Sequence, residues 1–188
     1  MFRVPIVPVD KVVPLPQVDP ALVTSISAPK KATIPDVEGM SALINEFAAA
    51  KIMLARGPRY LYQSIQDYQV ITARVDGQEH VVACGALHVI WEDLAEIRSV
   101  AVHPALQSRG LGRIIVNSLI ESARELKLEN VFVFTLASKF FDKIGFKVMD
   151  RNDLPPMVWT ECSNCPKFYK CDEIAMLYPL TGNGEPRA

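Results

Sequence analysis

The chain has 188 residues, 49% of them hydrophobic and 22% charged, which is enough for one globular domain to bury a core without crosslinks. Twenty basic against twenty-one acidic side chains leave a formal charge of -1, which removes the electrostatic case for a nucleic-acid binder or a polybasic membrane anchor, so any anion site must be local. No apolar run approaches the roughly 18 residues that span a bilayer, and Met1 to Pro20 is broken by prolines where a signal peptide needs an unbroken apolar stretch, so a cytoplasmic protein is expected.

Half of the fourteen prolines fall in the first thirty-five residues, and Lys11 to Ala28 shows no sustained period. Residues 1–29 therefore read as an extended arm, and residues 30–188 as the folded domain. Thr33-Ile34-Pro35-Asp36 has the hydroxyl, early proline and acid of a helix start, and Val37, Met40, Ile44 and Phe47 continue as an apolar stripe. A short helix over Tyr60 to Gln66 and a strand near Tyr68 to Arg74 follow, with a hairpin signal at Asp76-Gly77. Val81 to Leu87 returns antiparallel, and Leu94 to Val102 completes a three-stranded meander. Ile114, Ile115, Leu119, Ile120, Ala123 and Leu126 recur at helical spacing before an apolar strand at Val131 to Leu136, which implies a parallel crossover. An aromatic helix over Lys139 to Lys143, a stop at Gly145 and strand-like runs near Phe146 to Met149 and Ile174 to Leu177 close a mixed α and β domain.

Gln107-Ser108-Arg109-Gly110-Leu111-Gly112-Arg113 follows a strand and opens an amphipathic helix, so backbone N–H groups and the positive end of the helix dipole can converge on an anion. The loop lacks the third glycine of a dinucleotide fingerprint and the Lys-Ser/Thr pair of a P-loop. Arg109 and Arg113 read either as a solvated helix start or as phosphate contacts.

Val100-Ala101-Val102-His103-Pro104 followed by Gln107-x-x-Gly110-x-Gly112 resembles motif A of the GNAT acetyltransferases, and Phe140-Phe141-Asp142-Lys143-Ile144-Gly145-Phe146 resembles their later aromatic-Gly-Phe element. The resemblance spans about Lys30 to Leu180 and implies an α+β fold. In that fold a mixed central sheet, with antiparallel N-terminal strands and a splayed parallel pair, is flanked by helices. It also implies acetyl-CoA as cosubstrate, its pyrophosphate on the N–H groups of Ser108 to Arg113, its pantetheine against the backbone of Val100, Ala101 and Val102, and Phe141 beside it.

Strand alternation puts Leu94, Glu96, Arg98, Val100 and Val102 on one face, so an acid and a base stand side by side where apolar residues are expected. An amine acceptor must lose a proton before it attacks a thioester, which makes Glu96 the candidate base. Arg98 has the fork that grips a carboxylate, and an ordinary Glu96–Arg98 ion pair is the plainer alternative. Ala95-Glu96-Ile97-Arg98-Ser99-Val100 resembles the glutamate N-acetyltransferases of arginine biosynthesis. Lys167 and Cys171-Asp172-Glu173-Ile174-Ala175-Met176, after Cys162-x-x-Cys165, resemble the end of their short single-domain members. Glutamate is the acceptor this implies, with Lys51, Arg56 and Arg59 in the segment that shapes the pocket.

Phe140 and Phe141 occupy the neighbourhood where many of these enzymes carry a tyrosine acid. Ser138 is the nearest hydroxyl, as proton donor or as helix N-cap. His103 is expected to set the turn before Pro104. Cys162, Cys165 and Cys171 have spacing compatible with structural zinc but lack an evident fourth ligand, so reduced packed thiols are favoured over a metal. An acetyltransferase of glutamine or another small amine, and a non-catalytic acyl-CoA-binding subunit, are the rival readings. A homodimer is compatible with the sequence and not argued by it.

Overall fold

A computed structural model describes residues 13–163, 165 and 167–181. Eight strands form one sheet: β1 Val23–Ile26, β2 Lys30–Lys31, β3 Tyr68–Val75, β4 Gln78–Trp91, β5 Leu94–Val102, β6 Asn130–Thr135, β7 Lys147–Val148 and β8 Ile174–Pro179. Their order is β1-β3-β4-β5-β6-β8-β7, with β2 also on β3, and every pair is antiparallel except β5 with β6. The helices are α1 Val37–Ala49, α2 Pro58–Gln63, α3 Leu111–Glu125, α4 Ser138–Asp142 and α5 Trp159–Cys162. Among the described residues no helix is long and apolar enough to cross a membrane.

The local chemistry explains these elements. The Asp36 carboxylate accepts from the Thr33 N–H at 2.8 Å and its hydroxyl at 2.7 Å, closing the turn that leads into α1. Asp76 and Gly77 both take positive φ, 50° and 78°, as a two-residue hairpin turn requires. The α3 stripe of Ile115, Val116, Leu119 and Ala123 is fully buried against the sheet. On the opposite face α1 and α2 cover Tyr68, Val70, Cys84 and Ala86. Leu154 and Val158, after β7, cover Leu94, Phe132 and Ala175 on that second face.

Two findings differ from the sequence reading. Part of the stretch read as an arm lies on the domain: Val23–Ile26 pairs with β3, and Val18 is buried in the core. Residues 1–12 of that arm lie outside the described residues. The second difference concerns β5, whose alternation is broken midway. Its register with β4 jumps from Ala86↔Arg98 to Cys84↔Ala101, so Ser99 and Val100 together stand opposite Gly85. Ser99 takes φ 54°, the backbone signature of a bulge.

The bulge inverts the side-chain faces beyond it. Glu96 and Arg98 lie on the α1 side, whereas Val100 and Val102 pack toward α3 and Ala101 takes the α1 side. Gly85 permits this exchange, because a Cβ there would stand 3.0 Å from Leu119 Cδ1 and 3.4 Å from Val100 Cγ2.

Candidate active site

β5 and β6 pair only over Leu94–Glu96 and Asn130–Phe132, and the two strands then diverge. A cleft of about 770 Å³ opens where they part. Its walls come from the α1–α2 connection, the second half of β5, the end of β6 with the start of α4, and the C-terminal segment before β8. Divergence leaves the β6-facing edge of β5 without a strand partner beyond Glu96, so backbone groups there are available to an extended ligand.

Glu96 and Arg98 both line this cleft, with Arg98 Nη1 3.7 Å from Glu96 Oε2 and side chains only 17% and 8% exposed. The ion-pair alternative and the site reading therefore coexist: the two charges meet, and they meet inside the cleft. Arg56 also reaches it, buried at 9% exposure, with its guanidinium carbon 4.2 Å from the centre of the Tyr60 ring; that of Arg98 lies 5.9 Å from the same ring. Tyr60 thus organises two guanidinium groups, each gaining from the ring face. Arg56 is held through its backbone, whose N–H donates to Asn45 Oδ1 at 3.1 Å and whose carbonyl accepts from Asn45 Nδ2 at 3.0 Å. Lys51 lines the cleft from the end of α1, where it adopts φ 59°, whereas Arg59 is exposed and does not line it.

The anion loop sits beside this cleft. Ser108 and Gly110 take φ 61° and 83°, and Gly110 is the N-cap of α3, so the chain presents a concave run of backbone ahead of a fifteen-residue helix. Residues 107–110 are exposed, and Gln107 Nε2 donates to the Val102 carbonyl at 3.3 Å. Leu111 is buried in the core. Gly112 packs under Phe140: a Cβ there would lie 3.3 Å from the ring, and Phe140 itself lines the cleft. Loop and cleft are therefore contiguous. Arg109 stands exposed on the loop, while Arg113 donates to the Lys143 carbonyl at 2.6 Å and fastens α3 to the end of α4.

Several expected residues take other positions. Phe141 belongs mainly to the core, edge-on to Phe140 and Phe146, with one side reaching the cleft. Ala101 is buried away from the cleft, and Val102 packs near Gly112, so of the three hydrophobic residues only Val100 lines it. Ser138 is the first residue of α4, not its N-cap, which is Ala137, and it does not line the cleft. Among the described residues two hydroxyl side chains do line it: Ser99 at the bulge, whose Oγ accepts from the Tyr68 hydroxyl at 3.2 Å, and, at the end of β6 just before Ser138, Thr135, 7% exposed, whose Oγ1 accepts from the Ala137 N–H at 2.9 Å. Strand alternation puts Thr135 on the face of Val131 and Val133, and the divergence of β5 from β6 leaves it facing the cleft. His103 is a turn residue: its Nδ1 accepts from the Ala105 N–H at 3.2 Å, which leaves Nε2 to donate to the Pro16 carbonyl at 3.0 Å.

Cys162, Cys165 and Cys171 are free thiols that all line the cleft. Among the described residues no group of three or more His, Cys, Asp or Glu side chains is arranged to hold a metal ion. Burial, with Glu96 and the neighbouring acids and thiols adding to it, pushes the Cys162 thiol up to about 11. Burial likewise raises Glu173, while Lys167 Nζ holds the exposed Asp172 carboxylate at 3.1 Å and lowers it. Arg151, which no sequence pattern singled out, donates to the Glu173 carbonyl and lines the same wall.

Residues 41–146, which contain the loop and both diverging strands, match the profile of the Acetyltransferase (GNAT) family. The chain belongs to the GNAT acetyltransferases. An amino-acid acetyltransferase of Mycobacterium tuberculosis is 39% identical over 132 residues, 70% of this chain and 75% of that protein. A solved structure from Mycobacterium tuberculosis, Rv2747 in complex with CoA and NLQ, is 33% identical with a TM-score of 0.69, covering 82% of this GNAT chain and 100% of that one. The N-acetylglutamate synthase of Neisseria gonorrhoeae, complexed with coenzyme A and N-acetyl-glutamate, shares the fold at a TM-score of 0.72 and 22% identity. That likeness covers 84% of this chain and 36% of the other.

Proposed function

We propose that this acetyltransferase moves the acetyl group of acetyl-CoA onto the α-amino group of an amino acid, with L-glutamate as the acceptor. The observation that carries the reading is the placement of Glu96 and Arg98 in one wall of the cleft, next to the bulge and contiguous with the anion loop. A carboxylate base and a carboxylate-binding guanidinium side by side suit a substrate that bears both an ammonium and a carboxylate.

In this mechanism the pyrophosphate of acetyl-CoA lies on the backbone N–H groups of Ser108 to Arg113, with Arg109 as a side-chain contact. The pantetheine follows the β5 edge that β6 has left. Arg98 holds the α-carboxylate, and Arg56 with Lys51 attracts the side-chain carboxylate, which favours glutamate over a neutral amino acid. Glu96 takes a proton from the ammonium, the amine attacks the thioester carbonyl, and the N–H of Val100 at the bulge stabilises the oxyanion. Thr135, a hydroxyl within the cleft, takes the role considered for Ser138: it hands a proton to the departing coenzyme thiolate as it receives the second proton released by the amine nitrogen, and so ends unchanged. Reduced Cys162, Cys165 and Cys171 line the acceptor side without a chemical step assigned to them.

Purified protein incubated with acetyl-CoA and each amino acid separately tests the reading, with thiol release followed and the product identified by mass. Turnover with glutamate that is lost in Glu96→Gln and weakened in Arg98→Ala supports it. Preference for glutamine or another amine replaces the acceptor, and coenzyme binding without turnover on any amino acid favours an acyl-CoA-binding subunit.

A further inference from the structure

A smaller opening of about 210 Å³ lies between the end of β4 and the Met157–Thr160 stretch. Glu96, Arg98 and Val158 line it as well as the main cleft, so the pair of charges forms a partition with a cavity on either side. His88 stands in this second opening. It is the direct cross-strand partner of Glu96, which brings their Cβ atoms to within roughly 4.5–5.5 Å on the same face of the sheet. Its Nδ1 lies 2.7 Å from Asp67 Oδ2, on the 3-10 turn Ile65–Asp67, and its side chain is 40% exposed.

The proposed reaction has a proton to dispose of. An acceptor entering as an ammonium carries three N–H protons: one stays on the amide nitrogen, one ends on the coenzyme thiol, and the third must reach solvent in every turnover. With acceptor and acetyl-CoA seated, the main cleft is occupied on the side of Glu96 from which the proton came.

We propose that the second opening is the proton exit of this reaction, with His88, fixed by Asp67, relaying the proton from Glu96 to solvent. The inference rests on Glu96 being the base. An ionised carboxylate only accepts, so Asp67 draws the N–H to Nδ1 and leaves Nε2 to take the proton, directly or through a water in the opening. The exposed imidazole passes it on and returns to its starting tautomer, with no other reactant consumed. Among the described residues, the charged and polar groups lining the opening with His88 or bonded to it are Asp67 from the 3-10 turn, Glu96 and Arg98 from β5 and Thr160 from α5. Those around Glu96 include Arg98, His88 and, from the C-terminal segment, Cys162.

The test is steady-state kinetics of His88→Gln and Asp67→Asn beside Glu96→Gln, with and without added imidazole. The relay predicts a fall in kcat of about tenfold for His88→Gln with the acceptor KM unchanged, as expected for slowed proton transfer. It also predicts a smaller fall for Asp67→Asn and recovery of the His88→Gln rate as imidazole is added. Full activity of His88→Gln, or a loss that imidazole leaves untouched, overturns the relay while Glu96 remains the base. Full activity of Glu96→Gln removes the base and the relay together.

Discussion

The anion loop and the acceptor cleft adjoin at Phe140 and yet are built on opposite plans. The loop is a short run of consecutive backbone in which Ser108 and Gly110 take left-handed φ and α3 supplies the dipole, so on the proposed reading binding rests on main-chain N–H groups rather than on particular side chains. The cleft depends on side chains drawn from four stretches of the chain: Arg56, Glu96 with Arg98, Thr135, and Arg151 with the cysteines. On that reading, a family can keep one coenzyme grip and change acceptors by altering the other wall.

Substitutions should separate the two regions. Glu96→Gln is expected to have the largest effect, a fall in kcat of roughly 10²–10⁴-fold with coenzyme A affinity unchanged by calorimetry. A matching loss of coenzyme binding would merge the two regions into one. Arg98→Ala should raise the acceptor KM by about 10–100-fold, the worth of a charge-assisted hydrogen bond, and Arg98→Lys should restore little because the planar fork is lost. Gly110→Ala places a Cβ at φ 83°. It should weaken coenzyme A by about tenfold, corresponding to 1–2 kcal/mol of left-handed strain, and leave the acceptor KM alone.

The thiols report on the cleft wall. Alkylation proceeds through the thiolate, so the rate at Cys162, whose thiol is pushed up to about 11, should climb roughly tenfold per pH unit through pH 7 to 10. A plateau near the ordinary thiol range, about 8.5, would mean the wall is open to water. The smallest effect is expected for Arg113→Ala, about 1 kcal/mol of thermal stability from the lost bond to the Lys143 carbonyl, with coenzyme affinity nearly unchanged. A large rise in the acetyl-CoA KM would return Arg113 to the phosphate site.

Much of this division follows from what a linear chain displays. The strand Leu94–Val102, the helix after Gly110 and the crossover to β6 follow period and glycine placement, and each stands close to where those signals put it. Glu96 and Arg98 were legible because two charges in an apolar strand are conspicuous at any fold. Ser138 is the hydroxyl next to the aromatic element in sequence, but lining the cleft depends on how far β6 leaves β5, and there Thr135 takes that place. The strict alternation through Val102 failed for a related reason: the bulge requires Gly85 on a neighbouring strand and Leu119 on a helix behind it. Tyr60, Arg151 and the His88–Asp67 pair carry no local pattern and gain meaning only from their neighbours.

The sequence alone determined the mixed α and β class, the anion loop with its helix and the charged pair on the central strand, because periodicity, turn chemistry and backbone freedom are local properties. Only the tertiary structure decided which residues face one another across the cleft: the bulge at Ser99, the splay of β6 and the covering C-terminal segment. Each of these is a compromise among residues far apart in the chain, where packing overrides the alternation a single strand would adopt.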